Sequence, residues 1–85
     1  MTLFDLITRS QAIRTAILHT LYQARLAQPT APGVAHRDLD EMAAGPVAFE
    51  LGYLIECGYV VKDNIQCCIT AAGIDQVERG MKASA

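Results

Sequence analysis

Tryptophan is absent from this 85-residue chain, proline and cysteine appear three times each, and neither sign of charge is in large excess. An odd number of cysteines, two of them adjacent at Cys67 and Cys68, does not make a disulfide framework and suits a reducing compartment, so a cytoplasmic location is expected. A formal net charge of −2 excludes an overall positive field that would draw the chain onto nucleic acid or an acidic membrane, and any such binding has to be local. Long apolar runs are missing too. The opening Met1 to Arg9 stretch is interrupted by Asp5 and has no basic region before it, which reads as neither a signal peptide nor a membrane span. No membrane partner is expected.

Enzyme signatures are likewise missing. There is no Gly-rich phosphate loop, no nucleophile elbow and no His-Glu-x-x-His, and the two histidines, His19 and His36, lie far apart on different elements. A non-enzymatic protein is expected. His36 with Asp38, Asp40 and Glu41 reads as a hydrated acidic helix face rather than a metal site, and neither metal nor cofactor is expected. Cys67 and Cys68 are strand neighbours whose side chains point to opposite faces, so they do not chelate one ion together; with Cys57 they read as small buried hydrophobes.

What the chain does have is apolar content of 52%, enough for the core of one small domain. Thr8 followed three residues later by Gln11 is a capping-box pattern, with Ser10 a second candidate cap, so a long first helix is predicted from there to about Gln28. Pro29 and Pro32 with Gly33 end it. Ile13, Ile17, Leu21 and Ala24 make one apolar face of this helix and Leu18, Tyr22 and Leu26 a second, read as roughly opposite. Gly33 to Ala35 is a short extended piece. His36 or Asp38 opens a second helix with Leu39, Met42 and Ala43 at core spacing, closed by Gly45-Pro46, and Pro46 begins a third. There Val47, Leu51, Leu54 and Ile55 face inward, and Gly58 is the left-handed stop. Tyr59 to Lys62 and Ile65 to Ile69 read as strands joined by an Asp63-Asn64 turn. Thr70 caps a last helix with an inward stripe of Ile74, Val77 and Met81.

Leu51-Gly52-Tyr53-Leu54, the Gly58-Tyr59-Val60 corner and the Ile69-Thr70-Ala71-Ala72-Gly73 exit resemble the corresponding stretches of winged helix-turn-helix domains in small bacterial and phage transcriptional regulators. The resemblance covers roughly residues 10 to 82. It implies an α+β, mostly helical fold, with a three-helix core, a short β-hairpin wing and a C-terminal helix over residues 10–85, preceded by an apolar segment, 1–9. In such regulators the third helix enters the major groove, the start of the second touches phosphate and the wing reaches the next minor groove. The resemblance therefore implies a DNA-binding regulator of transcription that holds duplex DNA through helix 46–57 and wing 59–69, with His36, Arg37, Ala48, Phe49, Tyr53 and Lys62 as its candidate contacts.

The residues themselves fit that role poorly. The outward side of the third helix carries Ala48, Phe49, Gly52, Tyr53 and Glu56, with Glu50 at its flank, and has no lysine or arginine, the residues that most often read guanine and neutralise phosphate. Phe49 and Tyr53, one turn apart among small neighbours, compose a protein-binding patch as readily, and the alternative function is protein interaction or assembly without DNA. The first helix points the same way. Leu3, Phe4, Leu6, Ile7, Leu18, Tyr22 and Leu26 exceed what one domain is expected to bury, and a homodimer is the expected cover. Arg14 and Arg25 fall about 20° apart on the helical wheel and read as a solvated face or a strip beside that contact, not as DNA ligands.

Overall fold

The computed structural model describes residues 2–84 and the side chains of residues 2–80. Four helices and three strands follow in the order α1 (Leu3–Ala27), β1 (Val34–Ala35), α2 (His36–Met42), α3 (Ala48–Glu56), β2 (Val60–Asp63), β3 (Gln66–Ile69) and α4 (Ala71–Ser84). The strands form one antiparallel sheet in the order β1-β3-β2. The architecture is α+β and mainly helical, with the strands of the small sheet packed against all four helices.

The first helix starts earlier than its internal capping pattern predicts. Thr2 is the N-cap: its side chain accepts from the Asp5 amide and the Asp5 carboxylate accepts from the Thr2 amide, a reciprocal capping box. Thr8 and Thr15 instead turn their hydroxyls back to the carbonyls of Phe4 and Gln11, which residues inside a helix can do without ending it. Residues 3–9 are thus the opening turns of α1, not a separate leader. Over 25 residues α1 runs about 37 Å at 1.5 Å per residue, close to the 42 Å long dimension of the molecule.

The second half of α1 packs into the core. Ile17, Leu18 and Leu21 are buried together with Leu39, Val47, Leu51, Leu54, Val60, Cys67, Ile69 and Val77, and Ile13, Tyr22 and Ile74 pack against them. The two faces read for α1 are therefore one wide face. At 100° per residue Leu18 stands only about 60° from Leu21, and α3, α4 and β3 together wrap the helix broadly enough to cover both. Met42 and Ile55, expected inside, are exposed at the margins of α2 and α3, and the Met42 sulfur accepts a hydrogen bond from Thr20. Cys57, expected to be buried, is exposed, whereas Cys67 is buried and Cys68 half-buried. Met81 lies outside the described side chains.

Both short helices end in the same hydrogen-bond pattern. After α3, Gly58 adopts φ +81°, its amide donates to the Ile55 carbonyl and the Tyr59 amide donates to Leu54, the paired bonds of a Schellman stop. After α2 the pattern recurs with Ala44 at φ 56°, where Ala44 donates to Glu41 and Gly45 to Asp40. The left-handed position is thus an alanine, one residue before the glycine that the sequence offers. Pro46 precedes α3 by two residues rather than opening it, and Val47 is the N-cap.

The hairpin turn sits one residue later than read. Asp63 pairs with Gln66, which leaves Asn64 and Ile65 in the turn, with Asn64 at φ 59°. This register sets the buried Val60 opposite the buried Ile69. Thr70 then leads into α4, its hydroxyl accepting from the Gly73 amide and donating to the Gly58 carbonyl. Gly73 is pressed against the Tyr59 carbonyl so closely that a Cβ would collide with it.

Candidate interaction surface

Packing Val47, Leu51 and Leu54 inward turns the opposite side of α3 to solvent. Phe49 is 79% exposed and Tyr53 46% exposed, with Ala48 and Glu56 also exposed and Gly52 and Glu50 half-buried beside them. The outward assignment of Phe49 and Tyr53 therefore holds within a single chain.

Beside these two rings lies the first part of α1. Leu3, Leu6, Ile7, Ser10 and Arg14 of α1 and Phe49 and Tyr53 of α3 line one groove of about 360 Å³. On the helical wheel, Leu3, Leu6, Ile7 and Ser10 continue the same stripe as Ile17 and Leu21, so the groove is the core-facing side of α1 carried past the end of the core. Phe4, next to this stripe, is 75% exposed, and Leu3 is 73% exposed. The residues read separately as dimer contacts and as protein contacts thus form one continuous apolar surface.

Not all of the expected dimer residues belong to it. Leu18 is only 7% exposed and is core, because it faces the other helices and not the solvent. Tyr22 is half-buried against the core, and its hydroxyl donates to Glu78 Oε2 at 3.0 Å; that bond raises the Tyr22 pKa. Leu26 is exposed, but it lies at the far end of α1 beside Tyr22, Arg25, Ile74 and Glu78, away from the groove.

The polar candidates gather elsewhere. His36, Arg37 and Lys62 line a second depression with Ala35 and Ile65, and it shares no residue with the apolar groove. Lys62 Nζ donates to His36 Nδ1 at 3.0 Å. An ammonium is a donor only, so Nδ1 accepts and the imidazole proton sits on Nε2, which faces Asp40 Oδ1 at 3.5 Å. The same Asp40 oxygen accepts from the Val47 amide at 3.0 Å, at the head of α3. Lys62, His36 and Asp40 thus form a chain that ties the hairpin to α2 and α2 to α3. Two of the candidate phosphate contacts, His36 and Lys62, are used on each other; Arg37 and Lys62 are exposed and His36 is half-buried.

Arg14 and Arg25 of α1 are not a solvated strip. Arg25 Nη1 donates to the Ile69 carbonyl at 2.9 Å and fastens α1 to the end of β3. Arg14 places its guanidinium 4.2 Å from the centre of the Tyr53 ring, a cation–π contact on the outer face of α3. That contact puts a cation where the sequence of α3 supplies none. Its signal in the sequence is weak, because the two residues belong to different helices; only the placement of Arg14 about 60° from Ile17, toward the core side of α1, hints at it.

Among the described residues no group of three or more His, Cys, Asp or Glu side chains is arranged to hold a metal ion, and no helix is long and apolar enough to cross a membrane. The chain matches no family model, no curated protein and no solved structure in comparisons with known proteins.

Proposed function

We propose that this chain is a winged-helix domain that works by protein association, using the apolar groove between the start of α1 and the outer face of α3. The winged-helix assignment is supported by the element order, the β1-β3-β2 sheet and the glycine stop between α3 and the hairpin. The observation that carries the association reading is that Phe49 and Tyr53 share one uncovered groove with Leu3, Leu6 and Ile7. Exposed aromatics clustered with aliphatics in a groove that no acid lines are what the centre of a protein interface is made of.

A second reading, a regulator that holds duplex DNA through α3 and the hairpin, is favoured by the Arg14 guanidinium over Tyr53 and by Arg37 exposed beside His36 and Lys62. It ranks below the first because α3 itself brings Glu50 and Glu56 and no cation, and because Lys62 is occupied by His36.

Gel shift of mixed genomic duplex fragments at low and at physiological salt separates the two. Association predicts no salt-resistant shift and no response to Arg37→Glu. A shift at physiological salt that Arg14→Glu, Arg37→Glu or Lys62→Glu weakens across all sequences rejects association in favour of DNA.

A further inference from the structure

The total surface of the chain is larger than its mass predicts. A compact monomer of 9.2 kDa exposes about 4,900 Å² by the usual scaling with mass. This one exposes 5716 Å². The excess, roughly 800 Å², matches the share that each partner contributes to an interface of standard size. Among the described residues, six of the eleven exposed large apolar side chains gather at the start of α1 and the outer face of α3: Leu3, Phe4, Leu6, Ile7, Phe49 and Tyr53.

We propose that the occupant of the groove is a second copy of this chain, bound across a two-fold axis that passes near Ile7, with the two α1 helices antiparallel at their N-terminal halves. This rests on the association reading and names its partner. A two-fold contact needs one patch that carries both a ridge and a matching hollow. The patch here has both: Phe49, Phe4 and Leu3 stand out, each more than 70% exposed, and the hollow between α1 and α3 is lined lower down by Leu6, Ile7 and Tyr53, each less than 50% exposed. Antiparallel pairing lays each ridge into the other hollow and covers the stripe that α1 leaves bare beyond its own core. Along α1 no charge obstructs the contact, and on α3 Glu50 and Glu56 flank the rings without lining the hollow. Asp5 and Arg9 fall on the side of α1 turned away from the stripe, and the first charged residue along it is Arg14, already engaged with Tyr53. A net charge of only −2 adds little repulsion between copies.

Sedimentation equilibrium of the full chain, from micromolar to several hundred micromolar, tests the pairing. The wild-type chain is expected to dimerise, and Ile7→Glu and Phe49→Glu, each on an exposed side chain of a different helix, are each expected to weaken the dimer by about 30-fold or more, with unchanged helical circular dichroism in the monomer. Ile7→Cys in a Cys57→Ser background should oxidise to a covalent dimer, while Gln23→Cys, on the opposite face of α1, should not. A chain that stays monomeric throughout, a dimer indifferent to both glutamates, or equal cross-linking at positions 7 and 23 each overturns the pairing. The gel shift reports separately: a monomer that ignores duplex leaves the association reading standing with a different partner, and a salt-resistant shift removes the reading itself.

Discussion

The two halves of α1 carry the same apolar stripe and meet different fates. From Ile13 to Leu21 the stripe is covered by α3, α4 and the sheet; from Leu3 to Ser10 it meets only the outer rings of α3 and is left open. Hydrophobicity along the helix does not distinguish the halves. What does is where the rest of the chain ends: 25 helical residues are longer than the shorter helices packed on them, α3 with 9 and α4 with 14 residues, can cover. Apolar surface in excess of a core is therefore a property of the whole fold, and it locates the part of the molecule available for a partner.

Substitutions in the two halves should separate most widely in stability. Leu21→Ala, at a fully buried site among large neighbours, is expected to cost about 2–5 kcal/mol in urea denaturation, whereas Leu3→Ser, measured where the chain is monomeric, should stay within about 0.5 kcal/mol of wild type. Equal losses at the two sites would erase the distinction. Gly73→Ala should follow, with a loss of about 1–3 kcal/mol, because the added methyl meets the backbone carbonyl of Tyr59, which cannot move aside as a side chain can, as well as the buried Ile69 side chain.

Thr2→Ala removes the cap of the open half, which in other helices costs about 1 kcal/mol. Since the first turns of α1 lie outside the core, the expected effect is lost helical circular dichroism at a nearly unchanged unfolding midpoint; a midpoint that falls by the full amount would make both halves one cooperative unit. A smaller effect of opposite sign is expected at Ala44→Gly. Relief of a left-handed alanine outweighs the added chain entropy, for a gain of about 0.5 kcal/mol.

Alkaline pH probes the covered half through its thiol. Burial raises the pKa of Cys67, an effect that nearby Lys62 reduces and Cys68 reinforces, so the folded chain holds this proton more tightly than the unfolded one. The contribution is complete below the unfolded thiol pKa of about 8.5 and declines as pH rises through the folded value. Tyr22, raised mainly by its bond to Glu78, acts in the same direction at higher pH. Unfolding midpoints should fall above pH ~8.5, less so in Cys67→Ala. In the native chain an alkylating reagent should modify Cys57 first and Cys67 last.

Much of this architecture was legible in the punctuation of the chain. Pro29 and Pro32 end α1, Gly58 ends α3, and Thr70 opens α4, because each imposes a backbone geometry by itself. The start of α1 was not legible: Thr2 with Asp5 and Thr8 with Gln11 offer the same local signal, and continuity of the helix across the second decides between them. At the surface, the exposure of Phe49 and Tyr53 followed from the spacing of Leu51 and Leu54. Their union with Leu3, Leu6 and Ile7 did not, since it depends on the crossing of two helices. The Arg14–Tyr53 and Lys62–His36 contacts were hidden for the same reason, as each joins elements that only the finished fold brings together.

The close approach of Gly73 to the Tyr59 carbonyl gives the last helix a key. A slip of α4 by one position would present Ala72 or Ile74 to that oxygen, and either would be refused. The register of α4 is thus held by a hydrogen atom where every other residue has a carbon.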